Sequence, residues 1–167
     1  MAIEKYCYSD NEANCTTYGG LYQWNQMMGG STTAGIQGIC PTGFHLPTDA
    51  EYKTLEMQQG MSQALADTTG WRGNTEGDQL KNTGLCGGRT PCGTSDFQGL
   101  LAGFRGTDGS FGGLGGGTGL WSSLVSGTSA WKRNLNSGNA TVNRNTNSKA
   151  NGFSVRCLKD WLIKSRW

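Results

Sequence analysis

Six cysteines, at positions 7, 15, 40, 86, 92 and 157 of a 167-residue chain, constrain its folding more than any other feature. Their number is even, no CxxC pair occurs, and the single histidine, His45, brings no second nitrogen ligand with it. Cysteine-built metal sites need close paired spacings, so the six read as three structural disulfides. The spacings favour two local loops, Cys7 with Cys15 and Cys86 with Cys92, which leaves Cys40 to Cys157 by elimination. That last bridge would close most of the domain and stabilise it by roughly 4 kcal/mol through loop-closure entropy. Structural disulfides imply an oxidising compartment, so a secreted or cell-surface location is expected. The opening MAIEKYCYSD lacks the apolar core of a signal peptide, and no stretch approaches the length of a membrane span. The chain is therefore expected to be an exported domain, excised or processed from a longer protein.

A hydrophobic fraction of 35% is low, but 6 Trp, 5 Phe and 5 Tyr supply large apolar surfaces for one core. A single domain over residues 1–158 is expected, with 159–167 as a C-terminal extension. The apolar set Trp161, Leu162, Ile163 and Trp167 suits an added strand, an oligomer contact or a linker. With 28 Gly and only 3 Pro, and no collagen-like period, the glycines read as turns between short elements. Charge is divided along the chain. Residues 126–167 hold 8 Lys/Arg against 1 acidic residue, whereas 1–125 hold 6 against 11. The basic end reads either as an ordinary solvated face or as an attraction for an acidic glycan or other polyanion. Nucleic acid is disfavoured, because no zinc-finger, helix-turn-helix or RNP pattern accompanies so few charges.

Helical spacing of Leu21, Trp24 and Met28 predicts a helix over 21–28, ended by Gly29 and Gly30. A second helix over 49–59 is announced by Thr48 and Glu51, a capping box, with Asp49 favourably placed at the positive helix end. His45 precedes it between Phe44 and Leu46 and reads as a packed structural residue. SQALAD suggests a third short helix, and Trp71 is expected to pack its polar loop down. Beyond Asp96 the pattern turns to strands, with Asp108-Gly109 as a tight turn, then LWSS, AWKRNL at 130–135, a strand around Thr141 and Val142, and FSVRCL at 153–158. The glycines between 112 and 119 do not make a phosphate loop, having neither a Gly-Lys-Ser/Thr ending nor a following helix.

From the end of AWKRNL to FSVRCL, around the Thr141 and Val142 strand, runs a stretch dominated by asparagine, whose amides donate and accept at once. Turn capping explains such residues one by one. Their density makes a collective display the alternative. The candidate ligand-binding residues are Trp131, Lys132, Arg133, Asn134, Asn136, Asn143, Arg144, Asn145, Asn147 and Asn151. Asp96 and Asp108 are a candidate calcium pair, against ordinary turn capping. No catalytic residue is assigned.

The segments CPTGFHLPTDAEYKTLE, WRGNTEGDQLKNTG, FRGTDGSFGGLGGGTGLWSS and AWKRNLNSGNATVNRNTNSKANGFSVRC together resemble, in order and spacing, the Fibrobacter succinogenes major paralogous domain. The resemblance covers about residues 5 to 160. Trp121 and Ser122 fall on its WSS, Trp131 and Arg133 on its aromatic-basic strand, and Gly152, Phe153, Arg156 and Cys157 on its closing GFSVRC. It implies an α+β, C-type-lectin-like domain, disulfide-tied, with two helices flanking a small twisted antiparallel sheet and long Gly/Asn-rich loops. It also implies kinship with formylglycine-generating enzymes and diversity-generating retroelement variable proteins. The enzyme branch fits badly, since bridges account for every cysteine and no His/Cys/Asp cluster remains. The calcium-dependent sugar motifs Glu-Pro-Asn and Gln-Pro-Asp are absent. Residues 131–151 would then form the ligand surface of a secreted or surface binding module recognising a glycan or protein. The alternative is a structural, self-assembling surface domain that contacts its own copies or neighbouring domains.

Overall fold

The computed structural model describes residues 3–160. Trp161, Leu162, Ile163 and Trp167, read as an added strand, an oligomer contact or a linker, lie outside them. At the centre is a meander of β6 (Gly117–Ser126), β7 (Ser129–Asn136) and β8 (Asn139–Ser148). Each hairpin closes with two residues, Gly127-Thr128 and Ser137-Gly138, and Gly127 takes the left-handed conformation (φ 57°) such tight turns demand. Around the meander are assembled β1 (Leu21–Gln23), β3 (Gly70–Arg72), β4 (Ala102–Arg105), β5 (Phe111–Leu114) and β9 (Gly152–Ser154). The order β1-β9-β4-β6-β7-β8-β3, with β5 on β4, makes an eight-stranded sheet. It is larger than the small sheet expected, and mixed rather than antiparallel, because β4 and β9 both run parallel to β6. A separate two-stranded sheet joins β2 (Phe44–His45) to β10 (Leu158–Lys159).

Among the described residues, five α-helices accompany the sheet, more than the two the resemblance implied: α1 (Glu12–Tyr18), α2 (Trp24–Met27), α3 (Asp49–Gln58), α4 (Gln63–Asp67), where SQALAD suggested a short helix, and α5 (Glu76–Leu80). None is long and apolar enough to cross a membrane. The expected helix over 21–28 is only half helical. Leu21–Gln23 instead pair with β9, leaving one turn to carry Trp24 and Met27 inward. α3 begins with the expected capping box, Thr48 accepting from the Glu51 amide and Glu51 accepting from the Thr48 amide. The strand expected over 153–158 stops at Ser154, where the chain leaves the main sheet to pair with β2.

Successive residues of a strand point to opposite faces, and β6 divides the core accordingly. Trp121 joins Trp24, Met27, Met28, Cys40, Leu46, Ala130 and Phe153 on one face. Leu120 joins Tyr52, Leu80, Leu101, Leu135 and Val142 on the other. The Trp-Ser-Ser of β6 ties the first layer down. The Trp24 indole donates to the Ser122 carbonyl and the Trp121 indole to the Tyr22 carbonyl, each at 2.8 Å. Ser123 Oγ contacts the Leu46 and Pro47 carbonyls. Cys7–Cys15, Cys86–Cys92 and Cys40–Cys157 are the three disulfides.

Candidate functional site

Strand register sorts the Asn/Arg/Trp run onto two faces. In β7, Arg133 and Leu135 point toward α3, and the cross-strand partner of Arg133 is Arg144 of β8. The guanidinium of Arg133 donates to Asp49 Oδ1 at 2.7 Å and to Glu56 Oε1 at 2.6 Å. Arg144 grips Asp49 through Nε at 3.0 Å and Nη2 at 2.8 Å, and its charge lies 3.9 Å from the Trp131 ring centroid. Arg72 of β3 completes the cluster on Glu56 Oε2. Arg133 is 1% exposed and Arg144 is buried. Their expected place on a ligand surface is therefore corrected: both are spent on fastening α3 to the sheet, with Trp131 stacked beside them. Burial raises the Asp49 pKa, but hydrogen bonds and charge from Arg144 and Arg133 outweigh it and hold the carboxyl at about 2. The charge asymmetry of the sequence is thus partly neutralised inside the molecule.

This cluster was legible only in part. Asp49, Tyr52 and Glu56 recur at helical spacing, so two acids share an otherwise apolar face. An arginine interrupting an apolar strand face is their natural complement.

The opposite face gathers other residues. Trp71 of β3 pairs with Asn143 of β8, Asn143 with Asn134 of β7, and Asn145 with Lys132. Partners across an antiparallel ladder share a face. Gly119 of β6 lies opposite Asn134, and Phe153 covers it. The Phe153 ring meets that of Phe104 edge-on at 6.5 Å. Trp71, expected to pack a loop down, is instead 46% exposed at the end of this row, and Phe104 is 41% exposed at the other. Residues 24–46 pack on the same face against Trp121, Ala130 and Phe153.

The asparagines differ in what they already hold. Asn136 accepts from the Gly138 amide, and Asn147 from the Ser148 amide and the Asn151 side chain, so these three shape turns. Asn134 accepts from Lys132, and Asn145 from the Thr146 amide. Among the described residues, the Asn143 side chain and the Asn134 and Asn145 amide nitrogens have no protein partner. Lys132 is buried beside them, its Nζ 5.1 Å from the Phe153 centroid.

The two aspartates lie apart in function. Asp108 caps the β4–β5 turn, accepting from Ser110 N and Oγ, while Asp96 lines a groove of about 690 Å³ between α3 and residues 156–159. Neither belongs to a group of three or more candidate metal ligands among the described residues; the one such group, Cys7, Glu12 and Cys15, has both sulfurs in a disulfide. The groove itself escaped sequence reasoning, because its walls, Tyr52, Leu55, Phe97 and Arg156, come from segments far apart in the chain.

A sequence model of the Fibrobacter succinogenes major domain matches residues 1–159. The chain belongs to this family. No curated protein and no solved structure matches it. Within this Fibrobacter succinogenes major domain, the segments that carried the resemblance have identifiable tasks. WRGNTEGDQLKNTG supplies Arg72 to the ion cluster, and Gly77, where a Cβ would stand 2.1 Å from the Thr141 carbonyl oxygen, lets α5 press against β8. Its Lys81 donates to the Asn136 and Asn139 carbonyls and pairs with Asp78, fixing the β7–β8 turn from below.

Proposed function

We propose that this domain is a secreted or cell-surface binding module that recognises an extracellular glycan or protein, built on a C-type-lectin-like scaffold. The observation that carries this reading is the group of Asn134, Asn143 and Asn145 on the open sheet face, each with an amide nitrogen that has no partner among the described residues, beside exposed Trp71 and Phe104. Polar side chains held on paired strands lose little freedom on binding, and exposed aromatics at their flanks add apolar contact. Binding rather than catalysis is proposed because the groups on this face are mainly amides, which neither titrate nor attack, and all six cysteines are bridged. The three disulfides support an oxidising, extracytoplasmic setting.

Relative to the ligand set read from sequence, this reading keeps Lys132, Asn134, Asn143 and Asn145, adds Trp71 and Phe104, and gives Arg133 and Arg144 to the fold. A glycan and protein array probed with wild type and with Trp71→Ala/Asn143→Ala tests it. The double variant should keep its fold and lose the wild-type hits. Retention of every hit would remove the open face from consideration.

A further inference from the structure

Lys132 differs from the other buried cations on the sheet. Arg133 and Arg144 reach carboxylates, and Lys81 pairs with Asp78. Among the described residues, Lys132 meets only the neutral Asn134 Oδ1 and the face of the Phe153 ring. An ammonium has three donor positions, so two are left without an acceptor among the described residues. Burial alone lowers its pKa to about 8, with no neighbouring charge offsetting it. A desolvated cation without a counter-ion is costly to the free protein, and an incoming anion relieves that cost.

The surroundings narrow the class of anion. Trp71, Asn143, Asn134, Gly119 and Phe104 lie on successive strands β3, β8, β7, β6 and β4, so the row crosses the sheet at right angles to the strands. Four strand steps of about 4.8 Å give it a length of roughly 19 Å. Aromatic faces toward the two ends, with donor-acceptor amides between, suit a chain of sugar rings and hydroxyls. A nucleic acid would present many phosphates to one unpaired cation.

We propose that this face takes a linear anionic polysaccharide, with one acidic group on Lys132 and sugar rings stacked on Trp71 and Phe104. This rests on the binding-face reading above. Carboxylated and sulfated chains share the required chemistry, and the test separates them.

Isothermal titration of wild type, Lys132→Gln and Lys132→Met would use polygalacturonate oligomers, dextran sulfate, neutral cellohexaose and poly-glutamate. Lys132→Met keeps an apolar stem in the buried position, and circular dichroism checks that each variant is folded. Wild type should bind at least one of the two anionic polysaccharides, and the lysine variants should bind it roughly tenfold or more weakly, as expected for a lost charged hydrogen bond. Preference for the uronate or the sulfated chain identifies the acidic group. Equal binding by wild type and folded lysine variants, or cellohexaose binding as tightly as the anionic chains, would overturn the role of Lys132 and leave the binding face standing. Tighter binding of poly-glutamate than of either polysaccharide would overturn the glycan assignment. Failure of all four probes would overturn this proposal, while the array decides the broader reading separately.

Discussion

Asp49 accepts from two arginines on two different strands, and its substitution is the sharpest residue-scale probe of the fold. Asp49→Asn leaves Arg133 and Arg144 buried with reduced compensation and should cost roughly 3–5 kcal/mol in urea unfolding. The pH dependence has a definite sign. Because the folded pKa, about 2, lies below the ordinary aspartate value of 3.8, the contribution is present above pH 4 and is lost as pH falls toward 2. Its linkage part is about 2 kcal/mol. Wild type and Asp49→Asn should therefore converge in stability as the solution is acidified through this window. The same residues show what sequence could not supply. Arg133 and Arg144 look like a basic display when the chain is read linearly, because the acids that neutralise them lie 77 to 95 residues away.

At the scale of elements, two contacts govern how the outer pieces attach. Gly77 lets α5 approach β8 where a Cβ would collide with the Thr141 carbonyl, so Gly77→Ala should destabilise by about 1–3 kcal/mol, measured by thermal melting. The β2–β10 pair is clasped by His45, whose Nε2 meets Glu51 at 2.9 Å and Nδ1 meets Asp160 at 2.6 Å. Burial works against its charge, but hydrogen bonds to Asp160 and Glu51 outweigh it and raise the imidazole pKa above the ordinary 6.5. This clasp is fully present below that unfolded value and weakens as pH rises through the folded one. Hydrogen exchange at the amides of residues 158–160, corrected for intrinsic rates, should show protection falling over that rise in wild type and insensitive to pH in His45→Gln. The capping box of α3 was readable because it is local, whereas β1 was not. Leu21–Gln23 have helical spacing, and only their pairing with β9, about 130 residues on, makes them a strand.

Across the whole molecule, Cys40–Cys157 spans 117 residues and joins the segment before β2 to the link between β9 and β10. Replacing both cysteines by serine should lower stability by roughly 4–5 kcal/mol, seen in denaturant titration against wild type under non-reducing conditions. Cysteine spacing alone anticipated all three bridges, and recognisable segments anticipated the family. The division of the polar run between two sheet faces was hidden, because it depends on the register of β7 against β8 and on β3 adding Trp71 to the edge. The central claim is that the amides of Asn134, Asn143 and Asn145 are free for a ligand while those of Asn136, Asn147 and Asn151 are engaged in turns, and side-chain amide NMR tests it most directly. On titration with the strongest glycan-array ligand, the Asn134, Asn143 and Asn145 amides and the Trp71 indole should shift, while the Asn136, Asn147 and Asn151 amides stay near their free positions. Shifts concentrated instead around Phe97 and Arg156 in the α3 groove would contradict it.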